Sequence, residues 1–426
     1  MEEGPPEERM QIELLSVGTE LLLGEILDTN AAYLAEKLSG LGINVYYQTT
    51  VGDNLERLAA ALHIALARAD GVLATGGLGP TEDDLTAAAV ARVAGLELAL
   101  DEQAAARIRA FARQRGLASA DGLLKQARVP AGARPIPNPV GTAPGFILST
   151  GGKIIIALPG VPTEMTAMAE QTVLPYLAEL AAREGAATIV SRVLRLAGIG
   201  ESQAEAQLQD LIQAQSNPTI APLAKPAEVR IRLTARAPDR AAALEMIRPL
   251  EQEIRRRLGE HIYGADDETL EQLIGGLLRA RGETLALAES CTGGLIGHRI
   301  TAVPGSSAYL LASLVTYADE AKVRFLGVPP QMIRDHGAVS AEVARAMAAG
   351  ARRACGADVG LSVTGIAGPT GATDSKPVGL TYVAVADADG GEVEEHHLRG
   401  DRAMVKERGA QAALYLLLRR LRRRAA

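Results

Sequence analysis

Residues 71–86 read GVLATGGLGPTEDDLT, a short apolar run that enters a glycine turn, passes three consecutive acids and leads into an alanine-rich helical pattern. The apolar run 71–74 is a short buried strand. Toward the amino end, 55–69 is an alanine-rich helix and 44–51 a β-branched and aromatic strand. Before these come a helix over 29–41, whose start Asp28 or Asn30 can cap, and a strand over 12–17. Strand and helix alternate, so the fold class is α/β with a parallel sheet. Sheets of this kind bind ligands beyond the carboxyl ends of their strands. Two segments fall at that edge, VGTELLLGEILDTN (17–30) and TGGLGPTEDDLT (75–86).

The glycines of the second segment, Gly76, Gly77 and Gly79, let backbone N–H groups approach a phosphate. Carboxylates beside a phosphate repel it unless a hard divalent cation lies between them. Asp83 and Asp84, with Glu20 from the first segment, are therefore candidate metal ligands in a phosphate or pyrophosphate site. The other reading is that Glu82, Asp83 and Asp84 favour the positive end of the following helix. GTELLLGEILDTN, GGLGPTEDDLT, KQA (125–127), NPVGTAPGF (138–146) and LPGVPTEM (158–165) together resemble the molybdopterin-binding domain of MoaB and MogA type, over a domain spanning 11–175. In the version fused to CinA proteins, the resemblance implies ADP-ribose pyrophosphatase activity with a divalent metal. It maps the acid of the glycine turn onto Asp84, with Asp83 adjacent and Glu20, Asp28 and Glu164 as further polar positions.

Residues 187–264 form a different, small α+β unit. Alternating patterns mark strands at 190–196 and 229–233, and helical periodicity covers 202–215 and 240–258. Asn217–Glu228 (NPTIAPLAKPAE) carries three prolines and reads as a loop. Its role is spacing or dimerisation, with Lys225 and Arg230 within reach of a neighbouring site.

Farther on, AESCTGG (288–294) puts a serine, a cysteine and a threonine before two glycines that open a helix, and TYADEAK (316–322) adds a tyrosine and a lysine. A serine hydroxyl is a poor nucleophile until a base takes its proton, and a lysine is that base only when neutral. Burial lowers a lysine pKa, and apolar Leu314, Val315 and Phe325 suit such a setting for Lys322. The hydroxyl of Tyr317 can relay the proton or hold the lysine. The N–H groups of Gly293 and Gly294 can face a developing oxyanion or a phosphate. Ser290 as a plain helix cap, Lys322 as a solvated surface cation and Cys291 as a rival nucleophile are the other readings of these residues.

AESCTGG, TYADEAK, HGAVS (336–340), TGIAGP (364–369) and KPVG (376–379), in this order, resemble the C-terminal domain of the CinA family, which includes nicotinamide-nucleotide amidases. The resemblance implies hydrolysis of the carboxamide of nicotinamide mononucleotide to nicotinate mononucleotide and ammonia, with no cofactor. It puts the nucleophile on Ser290, the base on Lys322 and supporting hydroxyls on Tyr317 and Thr364. Arg402, in the GDR segment, matches the substrate-side arginine, and Thr292, Gly293, Gly294, Gly365 and Gly368 line the substrate. Ala318-Asp319 and Gly371-Ala372 depart from the usual pattern without removing a proposed catalytic group. Helical periodicity at 338–353 and buried strands at 359–363 and 380–385 make 266–424 a three-layer α/β domain. The closing arginines, Arg419, Arg420, Arg422, Arg423 and Arg424, complement a helix C-terminus.

Composition bounds the alternatives. A chain of 426 residues exceeds one ordinary core, so two or three domains are expected. A net charge of −7, 3% aromatic residues and no tryptophan argue against nucleic acid as a partner. Two cysteines cannot build a disulfide framework, and six histidines without HExxH or paired CxxC argue against a zinc site. The acidic start MEEGPPEERM is not a signal peptide, and no apolar run approaches the roughly 20 residues of a membrane span. The expectation is a cytoplasmic homodimer acting on two small nucleotides, nicotinamide mononucleotide and ADP-ribose. The alternative is a nucleotide- or molybdopterin-binding regulatory protein whose N-terminal domain is inactive.

Overall fold

The computed structural model describes residues 10–116, 120–183, 188–225 and 227–424; the acidic start lies outside them. The chain divides into two compact units, one running to Val190 with Arg236–Glu245, the other Ser191–Ala235 with Met246 onward.

In the first unit the strands are β1 (Ile12–Val17), β2 (Gln48–Val51), β3 (Gly71–Thr75), β4 (Leu98–Leu100), β5 (Arg128–Pro130), β6 (Arg134–Ile136), β7 (Gly145–Thr150) and β8 (Lys153–Leu158). The α-helices are α1 (Thr19–Leu22), α2 (Thr29–Gly40), α3 (Leu55–Arg68), α4 (Thr86–Ala94), α5 (Glu102–Gln114), α6 (Pro162–Met168) and α7 (Leu174–Arg183). Six strands form one sheet in the order β2-β1-β3-β8-β7-β6, while β4 and β5 pair separately. Every residue of β1 is buried because helices cover both sheet faces. Ile12 and Leu14 pack with Leu34 and Leu38 of α2. Leu15 and Val17 turn the other way, toward Leu58 and Leu62 of α3 and Val90 of α4. Each fully buried leucine among them contributes about 1.5–3 kcal/mol.

The sheet is mixed rather than purely parallel. β1, β2, β3 and β8 run parallel, but β7 is antiparallel to both β8 and β6. The cause is the turn Gly151-Gly152, where both φ values are positive (55° and 75°). A two-residue turn of that type closes a hairpin, which can only be antiparallel. β2 also begins later than its composition suggests, at Gln48, because consecutive Tyr46 and Tyr47 both face solvent instead of alternating.

The chain continues with β9 (Thr188–Leu196), α8 (Glu201–Gln213), β10 (Thr219–Lys225), β11 (Glu228–Ala237), α9 (Arg240–Leu258) and β12 (Ile262–Ala265), most of them in the second unit, with the four strands ordered β10-β11-β9-β12. The stretch expected as a loop is thus largely strand β10, paired antiparallel with β11 from Thr219↔Thr234 to Lys225↔Glu228. Prolines are tolerated there because β10 is an edge strand, with one side free of ladder bonds. Arg230 is spent on Glu228 (2.6 Å), so it is not a free cation, and the Lys225 side chain lies outside the described residues.

A five-stranded sheet, β14-β13-β15-β16-β17, follows in β13 (Leu285–Glu289), β14 (Leu310–Val315), β15 (Val359–Gly365), β16 (Leu380–Asp387) and β17 (Gly390–His397). Its helices are α10 (Leu270–Arg281), α11 (Leu295–Thr301), α12 (Asp319–Leu326), α13 (Pro330–His336), α14 (Ala341–Cys355) and α15 (Arg402–Arg423). β13 alternates large and small: Leu285 and Leu287 pack with α10, α11 and α15, whereas Ala286 and Ala288 face α12 and α14. The result is three layers, with β14, β13 and β15 parallel and β16 and β17 antiparallel. Small residues let α14 approach closely; a Cβ at Gly360 would collide with the carbonyl of Ala348. The closing arginines fall in and just after the last turn of α15, as expected, and also have side-chain partners. Arg420 chelates buried Asp387 (2.8 and 2.9 Å), Arg424 pairs with Glu283 (2.7 Å), and Arg419 pairs with Glu394.

Candidate active site

The C-terminal ends of β13, β14 and β15 meet around the SCTGG loop, which joins β13 to α11. Glu289, the last residue of β13, is wholly buried. Its carboxylate accepts five hydrogen bonds, from Thr292 Oγ1 (2.7 Å), the N–H groups of Gly294 (3.0 Å), Ile296 (3.1 Å) and Gly297 (2.8 Å), and Ser313 Oγ (3.1 Å). It therefore occupies the N-terminus of α11 and fixes the loop. Gly293 and Gly294 have φ of 65° and 95°, values that favour glycine.

This corrects the expectation for the two glycine N–H groups. That of Gly293 donates to the Ser290 carbonyl (3.1 Å) and that of Gly294 to Glu289, so neither is open to an oxyanion. Thr292 is also turned inward, with its hydroxyl on Glu289, and cannot line a substrate. Ser290 is not the cap of α11; Gly294 holds that position, with no side-chain cap. The serine is 8% exposed, and its N–H is anchored to the Val363 carbonyl (3.0 Å). Cys291 is buried, and desolvation pushes its thiol up to about 12, which leaves it protonated and a poor nucleophile.

Lys322, one turn into α12, is 1% exposed. Desolvation holds its ammonium below the usual lysine range, against the opposing pull of Asp319, whose Oδ1 lies 3.6 Å away. The N–H of Thr316 donates to the Glu289 carbonyl (2.8 Å), which brings the TYADEAK segment that bears Lys322 alongside the start of the SCTGG loop. Val315 and Phe325, expected to bury it, are themselves about half exposed; it is the packing of Leu314, Leu326 and α14 that closes over this side of the sheet. Lys322 Nζ is held by the carbonyl of Tyr317 (3.0 Å), not by its hydroxyl. The Tyr317 ring is 59% exposed, and its hydroxyl accepts from Arg402 Nη2 (2.9 Å).

Arg402, at the start of α15, also donates to the carbonyl of Gly368 (2.8 Å), so it clasps the TYADEAK and TGIAGP segments together. Thr364 is buried, with its hydroxyl on the Ala338 carbonyl (2.9 Å), which joins TGIAGP to HGAVS. Gly365 and Gly368 are glycines for packing: a Cβ would lie 2.6 Å from Thr381 Oγ1 in one case and 2.6 Å from a Val378 methyl in the other. Glu289 was missed by sequence reasoning. An acid directly before SCTGG, opposite a helix start, was the available signal.

In the first unit, Gly76 and Gly77 take positive φ (98° and 65°) at the end of β3. Buried Thr86 donates to the Gly76 carbonyl (2.7 Å), and Asn30 donates to that of Gly160 (2.7 Å); neither role was foreseen. The acids do not converge. Asp84 Oδ2 takes both the N–H (2.8 Å) and hydroxyl (2.6 Å) of Thr81 and lies over Gly79. Asp83 is exposed, its carboxyl held below the usual range by Thr81, by its own N–H and by Lys125. Glu20 folds back over Gly18, Asp28 caps α2 (2.9 Å) and Glu164 accepts from Asn138 (2.7 Å). Among the described residues no three His, Cys, Asp or Glu side chains gather as a metal site, and Asp83, Asp84 and Glu20 do not come together as one cluster. A small cavity of about 50 Å³ lies beside the turn, lined in part by Gly77, Gly79, Asp84, Lys125 and Gln126. No helix among the described residues is long and apolar enough to cross a membrane.

Residues 13–179 match the family model for a probable molybdopterin binding domain, 191–264 the CinA KH domain and 267–421 the CinA C-terminal domain. A putative competence-damage inducible protein of Symbiobacterium thermophilum is 51% identical over 424 residues, covering 97% of this chain and 99% of that protein. A second, from Caldicellulosiruptor bescii, is 48% identical over 412 residues with the same coverage, 97% and 99%. A solved structure of the protein CinA from Thermoplasma acidophilum covers 40% of this chain and 98% of its own at 39% identity, with a TM-score of 0.37. With near full-length identity of this order, the chain belongs to the CinA family.

Proposed function

We propose that the C-terminal domain is a serine amidase that converts nicotinamide mononucleotide to nicotinate mononucleotide and ammonia. The observation that carries this reading is Lys322, a buried lysine with a lowered pKa beside the loop that bears Ser290. Neutral Lys322 takes the Ser290 proton as Oγ bonds to the carboxamide carbon, and the same proton leaves with the departing nitrogen as ammonia. Water then cleaves the acyl-serine ester. Cys291 is kept out of the chemistry by its raised pKa. Because both glycine N–H groups are committed, the oxyanion depends on other donors facing Ser290. The test is ammonia release from nicotinamide mononucleotide by the full chain and by Ser290→Ala and Cys291→Ala. Loss in the first with retention in the second supports the reading; the reverse pattern moves the nucleophile to Cys291.

For the N-terminal domain we propose that the GGLG turn holds the diphosphate of ADP-ribose and that Asp83 and Asp84 assist its cleavage. A divalent cation that arrives with the diphosphate belongs to this reading, since the protein alone gathers no such site. The spending of Asp84 on Thr81 favours the second reading, a nucleotide-binding domain without hydrolysis. An ADP-ribose assay with and without a chelator separates them. Cleavage abolished by the chelator supports the hydrolase, and binding without cleavage supports the second. Homodimerisation and a cytoplasmic location remain part of the proposal, and sedimentation of the full chain tests the former.

A further inference from the structure

Past the ends of β13 and β14 the hydrogen-bond ladder runs on for one more residue. The Thr316 N–H donates to the Glu289 carbonyl (2.8 Å) and the Ser290 N–H to that of Val363 (3.0 Å), continuing the parallel register that sets Glu289 beside Val315 and Val363. Side chains alternate between the faces of a sheet, and neighbouring strands lie about 4.8 Å apart. Leu287 and Cys291 pack on the face of α10, α11 and α15, so Ser290 follows Ala286 and Ala288 to the face of α12 and α14. Thr316 follows Leu314 to that face, and Thr364 follows Ser362, whose hydroxyl reaches the Ala344 carbonyl of α14 (2.7 Å). Lys322 comes to the same face from α12, one turn before Leu326. Three hydroxyls, Thr316, Ser290 and Thr364, thus form a row along one sheet edge. The lysine amine is held by the carbonyl of Tyr317 (3.0 Å), the residue next to Thr316.

The three hydroxyls are not alike. That of Thr364 is engaged by the Ala338 carbonyl, and Ser290 is the nucleophile. Thr316 is 1% exposed, and its Oγ1 is buried with no hydrogen-bond partner. An orphaned buried hydroxyl costs folding free energy that a methyl group of the same shape would avoid. The group therefore calls for a partner that the resting site does not supply. A neutral lysine amine carries two N–H donors and one lone pair, and the Tyr317 carbonyl takes one donor. We propose that Thr316 is a positioning residue for Lys322: its Oγ1 accepts the second N–H of the neutral amine, which leaves the lone pair facing Ser290, the next hydroxyl in the row. The Ser290 proton then moves to that lone pair as Oγ bonds to the carboxamide carbon, and passes from Nζ to the departing nitrogen; Thr316 keeps its own proton throughout. The Tyr317 hydroxyl cannot take this part, because it faces Arg402. The inference rests on the amidase reading and deepens it.

Thr316→Val keeps the shape and removes the hydroxyl. In the full chain we expect a melting temperature equal to or above the native one, because an orphaned group is lost. With nicotinamide mononucleotide, kcat for ammonia release should fall about tenfold or more while KM stays within about threefold. Thr316→Ser, which retains the hydroxyl, should exceed Thr316→Val in kcat by about fivefold or more. A purely structural threonine would give a lower melting temperature in Thr316→Val, and that result overturns the proposal. So does a smaller fall in kcat, a loss carried by KM, or a Thr316→Ser chain without that recovery. A native chain that releases no ammonia removes the amidase reading and this inference with it, whereas native turnover undiminished in Thr316→Val removes this inference alone.

Discussion

The molecule contains two glycine turns that each carry a strand into a helix, and they resolve the helix start in opposite ways. After β13, the protein's own carboxylate, Glu289, takes the N–H groups of Gly294, Ile296 and Gly297. After β3, α4 begins at Thr86 with no side-chain cap at Leu85, and the acids of the turn are exposed or engaged by Thr81. A glycine turn before a helix is an invitation to an anion, but at α11 the invitation has been answered internally. What remains there for a ligand is the outer edge of the loop, Ser290 and Gly293, together with the amine of Lys322 on α12 and the guanidinium of Arg402 at the start of α15.

Substitutions should separate the two turns sharply. The largest effect belongs to Lys322→Met, which removes the base while filling the same buried space. Ammonia release should fall about 100- to 10,000-fold with the thermal unfolding curve intact. Next is Glu289→Ala, which strips five donors of their acceptor in a site without solvent. We expect about 3 kcal/mol or more of lost stability by chemical denaturation, with amidase activity lost alongside. An unchanged denaturation midpoint would show that the loop holds its shape without that carboxylate. The smallest effect is that of Asp84→Ala. Its bonds are local and partly solvated, so stability should change by less than about 1 kcal/mol and ammonia release not at all. A loss of amidase activity in a folded Asp84→Ala chain would mean that the two sites are coupled.

The same contrast explains what could be read from the residues. Strand-helix alternation makes the first sheet legible, because helices on both faces demand apolar strands such as Ile12–Val17, and in the C-terminal domain the apolar runs at β15 and β16 are legible as buried strands while β13 and β14 are not read. The β7-β8 hairpin and strand β10 were harder: the first depends on the turn chemistry of Gly151-Gly152, the second on an edge position that excuses Pro222. In the site, side-chain identity signalled Ser290, Lys322 and Arg402, but hydrogen-bond direction is not written in a motif. Nothing in AESCTGG tells whether Gly294 donates outward to a ligand or inward to Glu289. The pairing of Tyr317 with Arg402 likewise spans 85 residues and arises only from the packing of α15.

The central claim is that a neutral, buried Lys322 activates Ser290, and the pH dependence of kcat/KM for ammonia release from nicotinamide mononucleotide tests it most directly. Burial lowers the lysine pKa in the folded chain, so the competent neutral form is depleted as pH falls through that lowered value. The account predicts a rate that is flat above this pKa and falls about tenfold per pH unit below it, a limb absent from the residual rate of Lys322→Met. A native profile without that acid limb, or full activity in a folded Lys322→Met chain, would contradict it.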